Sequence, residues 1–271
     1  MATAQFGRVI TAMITPFTED GAVDYESAVA LAKHLVAHGS EGLLVGGTTG
    51  EGATMTAEEK LKLYTLIVDA VGKRGEGKKV PVMGNIGTIS TADTIAFGNK
   101  AKETGIDCAL VIVPFYVKPN QEGMYQHFTA VAKGVDLPLV LYNVPGRPGV
   151  SIQPETIKKI VDECPNVVGI KDATGSWDQV TKEKALLPED FMIYSGDDAF
   201  TLPVLLAGGV GIISVSAHVI GDDMLAMVDA FEKGDLEKAR ELHLKMYEIN
   251  KGMFFTASPT PVKTATNLGG Q

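Results

Sequence analysis

Eight short apolar runs, seven of them followed directly by a stretch of helical period, constrain this chain more than any other feature. The runs lie at 8–15, 42–47, 80–86, 108–114, 138–144, 167–173, 191–196 and 209–216. They are continuous rather than alternating, as strands covered on both faces are in a parallel sheet. Between them, amphipathic stretches at 24–38, 56–71, 91–104, 121–135, 154–164, 176–186 and 197–207 predict helices. Two of these starts carry a hydroxyl followed three residues later by Glu or Gln, Thr56 with Glu59 and Ser176 with Gln179. That is the spacing at which side chain and backbone N–H satisfy each other. Strand and helix alternating eight times predict an α/β fold, a (β/α)8 TIM barrel, ahead of an open doubly wound sheet. After the eighth strand, helices at 222–233 and 235–252 and a proline-broken segment at 256–264 predict a short helical extension. The barrel is therefore expected over 1–221 and the extension over 222–271, with no linker between them.

A chain of 271 residues with 45% hydrophobic content can bury a single large core. Its formal net charge of -9 and the lack of a Lys/Arg cluster argue against a nucleic-acid partner. Cys108 and Cys164 offer neither a disulfide framework nor a zinc spacing. No basic leader and no apolar run of about 18 residues is present, which predicts a soluble protein of the cytoplasm, without a membrane role. The five histidines show no metal-ligand spacing, no GxGxxG follows a strand, and the methionines and Trp177 read as packing residues. The chemistry is therefore expected to need no cofactor and no metal.

Barrels of this kind carry their reacting groups at the C-terminal ends of strands. Those ends hold Thr48 and Thr49 in GGTTGE, Asn85, Tyr116, Tyr142 and Asn143, Lys171 and Asp172, residues 196–198 in SGDD and residues 214–216. Lys171 is the most telling. Period two places it on one face with Val167 and Gly169, inside an apolar run where a charged lysine is costly. A free lysine is neutral at pH 7 about once in 2,500, and lowering its pKa by about three, worth about 4 kcal/mol, corrects most of that. Lys171 is therefore the candidate nucleophile, a Schiff-base lysine for a small keto acid. The competing reading is a lysine paired with Asp172 or reaching to solvent.

GGTTGE suits a backbone concavity that grips a carboxylate, although alone it equally fits a tight glycine turn. Tyr116 and Tyr142 can pass protons during imine formation, although each alone is more often a packed aromatic with its hydroxyl at the surface. Arg147, after a tight VPG turn, can clamp a second carboxylate through its planar fork, or be a surface arginine.

Taken together, GGTTGEGAT, PFYVKPNQEGMYQHF, LYNVPGRPGVSI, VVGIKDATG, YSGDDAF and GVGIISVSAHV resemble the dihydrodipicolinate synthase family, within the N-acetylneuraminate lyase superfamily, over essentially the whole chain. The resemblance implies condensation of pyruvate with L-aspartate 4-semialdehyde to 4-hydroxy-tetrahydrodipicolinate, the entry step of the diaminopimelate route to lysine. By motif position it implies that Lys171 forms the imine, Thr49 and nearby amides hold pyruvate's carboxylate, and Tyr142, Thr48 and Tyr116 form a proton relay. Tyr116 would come from the neighbouring subunit of a tight dimer, itself one half of a dimer of dimers. Arg147 would bind the semialdehyde carboxylate, and Gly196 and the backbone of Ile213 would line the pyruvate end. The lysine and the GTTGE loop are shared with lyases of sialic acid and of sugar-derived keto acids, so another pyruvate-dependent lyase of the superfamily is the alternative. A barrel kept only to bind keto acids is a more distant one. Pro148 and Gly52 replace the family's common threonine and serine. Ala57 and Lys60 stand where lysine-inhibited members have histidines, Phe115 where they have tyrosine and Ile89 where they have asparagine, which predicts that lysine does not inhibit. The family also continues into a further helix beyond PVKTATNLGG, which leaves the packing of this end open.

Overall fold

The computed structural model describes residues 2–73 and 79–270. Strands and helices alternate as β1 (Val9–Ala12), α1 (Tyr25–Ala37), β2 (Gly42–Val45), α2 (Ala57–Ala70), β3 (Val82–Asn85), α3 (Thr91–Glu103), β4 (Cys108–Ile112) and α4 (Gln121–Gly134). They continue as β5 (Leu139–Asn143), α5 (Pro154–Glu163), β6 (Val167–Asp172), α6 (Trp177–Leu186), β7 (Met192–Ser195), α7 (Thr201–Leu206), β8 (Gly211–Ser214), α8 (Ala217–Glu232), α9 (Leu236–Gly252) and α10 (Thr260–Leu268). The strands pair in sequence order, all parallel, and β8 closes on β1 with Ile10 opposite Ile213. The molecule is a (β/α)8 barrel, as the alternation predicted.

Two apolar layers follow from the alternation of strand side chains. Inward residues such as Ile10, Leu44, Met83, Leu110, Val140 and Met192 fill the barrel, while Leu43, Val45, Val82, Val111 and Ile193 face the helices. At the N-terminal rim, Arg8 bonds Glu41, Asp229 and Glu232, tying β1 to α8 on the face away from the strand ends. No helix among the described residues is long and apolar enough to cross a membrane.

Four local expectations change. Thr56 and Glu59 form a full capping box, but Ser176 receives Gln179 N–H without the reciprocal bond, because the Gln179 amide is drawn to Ile152 O and Glu183. The predicted 197–207 helix is a 3-10 turn at Asp198–Phe200 followed by α7, with Pro203 in the first turn, where a missing N–H is tolerated. The helix expected from 222 begins at Ala217 and is kinked at Ile220 (φ -132°, ψ 31°). The proline-broken segment feeds α10, with Pro261 in its opening turn.

Candidate active site

β6 carries Lys171 into the C-terminal mouth of the barrel. The strand does not keep period two throughout: its register with β5 shifts opposite Val168, so Val167 joins the outer layer while Lys171 faces inward. That is a correction, since Val167 and Lys171 were expected to share a face. One residue past Ile170, which also faces the helices, Lys171 stands level with Tyr142 on β5 and Tyr194 on β7. Its Nζ lies 4.5 Å from the Tyr142 ring centroid, and the residue is 4% exposed. Burial pulls its pKa from 10.5 to about 8; the Asp198 charge pushes it up and Arg147 pushes it down. A lysine so placed is neutral about one time in ten at pH 7, which makes it a usable nucleophile. Pairing with Asp172 does not occur: the Asp172 carboxylate accepts from Thr174 N at 2.9 Å and Thr174 Oγ1 at 2.6 Å, on the helix side of the sheet.

Tyr142 is buried, which pushes its phenol up to about 12, against the opposing effects of Arg147 and of a hydrogen bond with Thr48. It is therefore a neutral phenol at pH 7, able to hand a proton on through Thr48. Thr48 itself sits on the turn after β2. Gly46 there has φ +66°, and at Gly52 a Cβ would lie 1.9 Å from Gly46 O, so neither accepts a side chain in this geometry. Thr15 Oγ1 donates to Gly50 O at 2.7 Å and anchors the turn to the end of β1. Inside it, Glu51 N–H reaches Thr48 O and Gly52 N–H reaches Gly47 O. Among the described residues, the N–H groups of Thr48 and Thr49 find no acceptor, so two donors are left for an anion. GGTTGE is thus a tight glycine turn with N–H donors to spare.

Arg147 closes the VPGR turn with its N–H on Val144 O at 3.0 Å, and its side chain is exposed. It borders a cavity of about 550 Å³ whose wall also includes Lys171, Tyr142, Thr48, Thr49 and Gly196. The structure thus brings together six of the eight site residues named from the sequence. Two stand apart. Tyr116, on the loop after β4, is 86% exposed with φ +65° and does not border this cavity. Ile213 packs inside the barrel, and Val215 forms that part of the wall.

Other groups at the site were given no role from the sequence, although Asp198 was among the strand-end groups. Asp198, fully buried, accepts from Ser214 Oγ, from Val215 N at 3.1 Å and from Ser216 N at 3.3 Å, clamping the turn after β7 to the end of β8. Asn250, Lys251 and residues 254 and 256–258 complete the cavity wall from the end of α9 and the segment after it.

A parallel (β/α)8 barrel with a desolvated lysine, a buried tyrosine beside a threonine, a turn with spare N–H donors and an arginine at one mouth has the features of a lyase working on carboxylated carbonyl compounds. The chain belongs to the dihydrodipicolinate synthetase family, whose model matches residues 5–271. It is 44% identical over 270 residues to the 4-hydroxy-tetrahydrodipicolinate synthase of Desulforamulus reducens, covering 100% of this chain and 90% of that protein. It is 48% identical over 266 residues to the synthase of Thermosynechococcus vestitus, covering 98% and 88%. Among solved structures, the dihydrodipicolinate synthase of Cyanidioschyzon merolae with lysine bound superposes with TM-score 0.94 at 41% identity, over 98% of this chain and 89% of that one. The enzyme of Bacillus anthracis superposes with TM-score 0.93 at 43% identity, over 100% and 90%.

Proposed function

We infer that the chain is a lyase, a 4-hydroxy-tetrahydrodipicolinate synthase, joining pyruvate to L-aspartate 4-semialdehyde in lysine biosynthesis. The observation that carries the mechanism is Lys171: buried, without a salt bridge among the described residues, and held at about 8. Its neutral amine adds to the keto carbon of pyruvate, and water leaves as the imine forms. The departing oxygen needs a proton, which the Tyr142 phenol supplies beside the lysine while Thr48 returns one. The cationic imine acidifies the adjacent methyl group, and loss of a proton there gives the enamine that attacks the aldehyde. The Thr48 and Thr49 N–H groups hold pyruvate's carboxylate near Lys171, with Gly196 and the backbone around Ile213 behind it. Arg147 meets the second carboxylate at the mouth.

Tyr116 is the third member of the relay only if a second copy of the chain presents it, which its exposure here is consistent with. We therefore propose a homo-oligomer built from tight dimers, paired as a tetramer, acting in the cytoplasm on these two small molecules. No cofactor is required by this chemistry.

The substrate reading is tested by comparing aspartate semialdehyde, N-acetylneuraminate and 2-keto-3-deoxygluconate in one assay. The semialdehyde should be turned over at least about 100-fold more efficiently, a discrimination equivalent to about 3 kcal/mol of transition-state binding by Arg147 and its neighbours. Faster turnover of either sugar acid would replace this reading with a different lyase.

Lysine is expected not to inhibit. Lys60, Ile89 and Phe115 border a second cavity of about 540 Å³ beside Arg147. Lys60 Nζ lies 4.5 Å over the Phe97 ring, a cation set against a cationic ligand. Turnover should be unchanged by millimolar lysine; half-inhibition below that range contradicts the expectation.

A further inference from the structure

Directly after the catalytic lysine, the chain buries two carboxyl groups against each other. Asp172, at the end of β6, is 1% exposed, and Glu183, on the inner face of α6, is 0% exposed. The two carboxyl groups lie close enough for each to act on the other's titration. Yet Asp172 Oδ2 and Glu183 Oε2 have no donor in the structure. Two ionised carboxylates cannot bond to each other, and buried oxygens are rarely left unsatisfied. A single proton between them resolves both facts.

The surrounding bonds say where that proton resides. Asp172 Oδ1 already receives Thr174 N and Thr174 Oγ1, and Asn143 favours its charged form, which suits an anion. Glu183 Oε1 receives one bond, from Gln179 Nε2 at 2.8 Å, which suits the carbonyl oxygen of a neutral acid. Burial and the Asp172 charge hold the Glu183 carboxyl well above the ordinary range. Among the described residues, no cation acts on the pair. The groups acting on the pair are Thr174 beyond β6, Asn143 on β5 and Gln179 on α6, all neutral. On β7 the residue level with Asp172 is Ser195, whose hydroxyl is turned to Asp197 O. The nearby charges of α6 are spent outside, Lys182 on Asp178 and Lys184 on Glu189 O, and Glu155 of α5 acts on Lys182.

The same groups hold the loop that carries Arg147. Asn143 Nδ2 and Gln179 Nε2 both donate to Ile152 O, each at 3.2 Å, and Asn143 Oδ1 receives Ile152 N at 3.3 Å and Ser151 Oγ at 3.2 Å. The far end of the 144–152 loop is therefore pinned by two amides, of which Gln179 also bonds Glu183 and Asn143 acts on Asp172.

We propose that Asp172 and Glu183 share one proton and act as a positioning pair, fixing the Arg147 loop against the strand that bears Lys171. This rests on the assigned reaction for its kinetic consequence but not for the pair itself, so the test has two arms. In the first, melting temperature is followed from about pH 4 to 9 for the wild type and Glu183→Gln. An unfolded glutamate releases its proton near 4.3, whereas the folded one retains it to higher pH. Through that window the native state binds more protons, and wild-type stability falls as pH rises. Glu183→Gln keeps a donor toward Asp172 at every pH, so its melting temperature should be close to wild type near pH 4 and several degrees above it by pH 8. A difference that stays constant with pH overturns the shared proton, whatever the enzyme catalyses.

In the second arm, Glu183→Leu should raise KM for aspartate semialdehyde about tenfold, with kcat and borohydride trapping of pyruvate on Lys171 within about twofold of wild type. Glu183→Gln should restore KM. An unchanged KM in Glu183→Leu, or a Glu183→Gln variant as impaired as the leucine one, overturns the positioning role. A wild type that fails to trap pyruvate counts against the assigned reaction instead.

Discussion

Lys171→Met should abolish turnover and, at the same time, make the protein harder to unfold. Loss of the nucleophile removes the covalent route altogether, so kcat should fall by at least about 1,000-fold, leaving only binding and the fixed dipoles of the mouth. The stability gain follows from the direction in which the lysine is perturbed. Its pKa falls from 10.5 in the unfolded chain to about 8 in the folded one. The unfolded state therefore binds more protons between those values, and stability rises with pH across that window. Below about pH 8 the full penalty remains, up to about 3 kcal/mol, and a buried methionine of similar length escapes it. Melting curves at pH 7 should place Lys171→Met several degrees above wild type, and the gap should narrow toward pH 10. Equal melting temperatures at pH 7 would mean that the lysine is solvated or paired after all. The same titration should appear in the chemistry, with pyruvate trapping accelerating as pH rises toward 8.

Tyr142→Phe isolates proton transfer from binding. The ring stays, so the apolar contact 4.5 Å from Nζ is preserved, while the hydroxyl that meets Thr48 is lost. Positioned acid–base groups contribute about 100- to 10,000-fold, and a loss in that range is expected in kcat, with KM for pyruvate nearly unchanged. A loss below about fivefold would assign the relay to another group. Thr48→Val should fall in the same direction by less, because Tyr142 keeps its proton without it.

Most of the architecture was legible because its cause is local. Eight strands covered on both faces need eight continuous apolar runs, and helices between them need a 3.6-residue period; the chain has both. The Thr56–Glu59 box was readable for the same reason. What was not legible depends on neighbours in space. Gln179 has capping spacing, yet its amide is better used between Ile152 O and Glu183. The register shift at Val168 turns Val167 outward against the run's apparent period.

The site divides along the same line. Lys171 was visible as a charge inside an apolar run, and Thr48, Thr49, Tyr142, Arg147 and Gly196 as polar or small groups at strand ends. Tyr116 looked like such a strand-end group, but it lies on the loop past β4, which turns it to solvent. Sequence position could not decide that, because the Tyr116 backbone has positive φ and the loop path sets its direction. Glu183 and Asn250 gave no sequence sign, and Asp198 gave only its place at a strand end, since each matters through partners brought from another element.

The most direct measurement is reductive trapping. The protein is incubated with pyruvate, reduced with borohydride, digested and mapped by mass spectrometry. The structure predicts one stable adduct per chain, on Lys171, formed faster at pH 8 than at pH 6 and absent in Lys171→Met. An unmodified Lys171 after complete reduction, or an adduct on another lysine, would contradict the Schiff-base account.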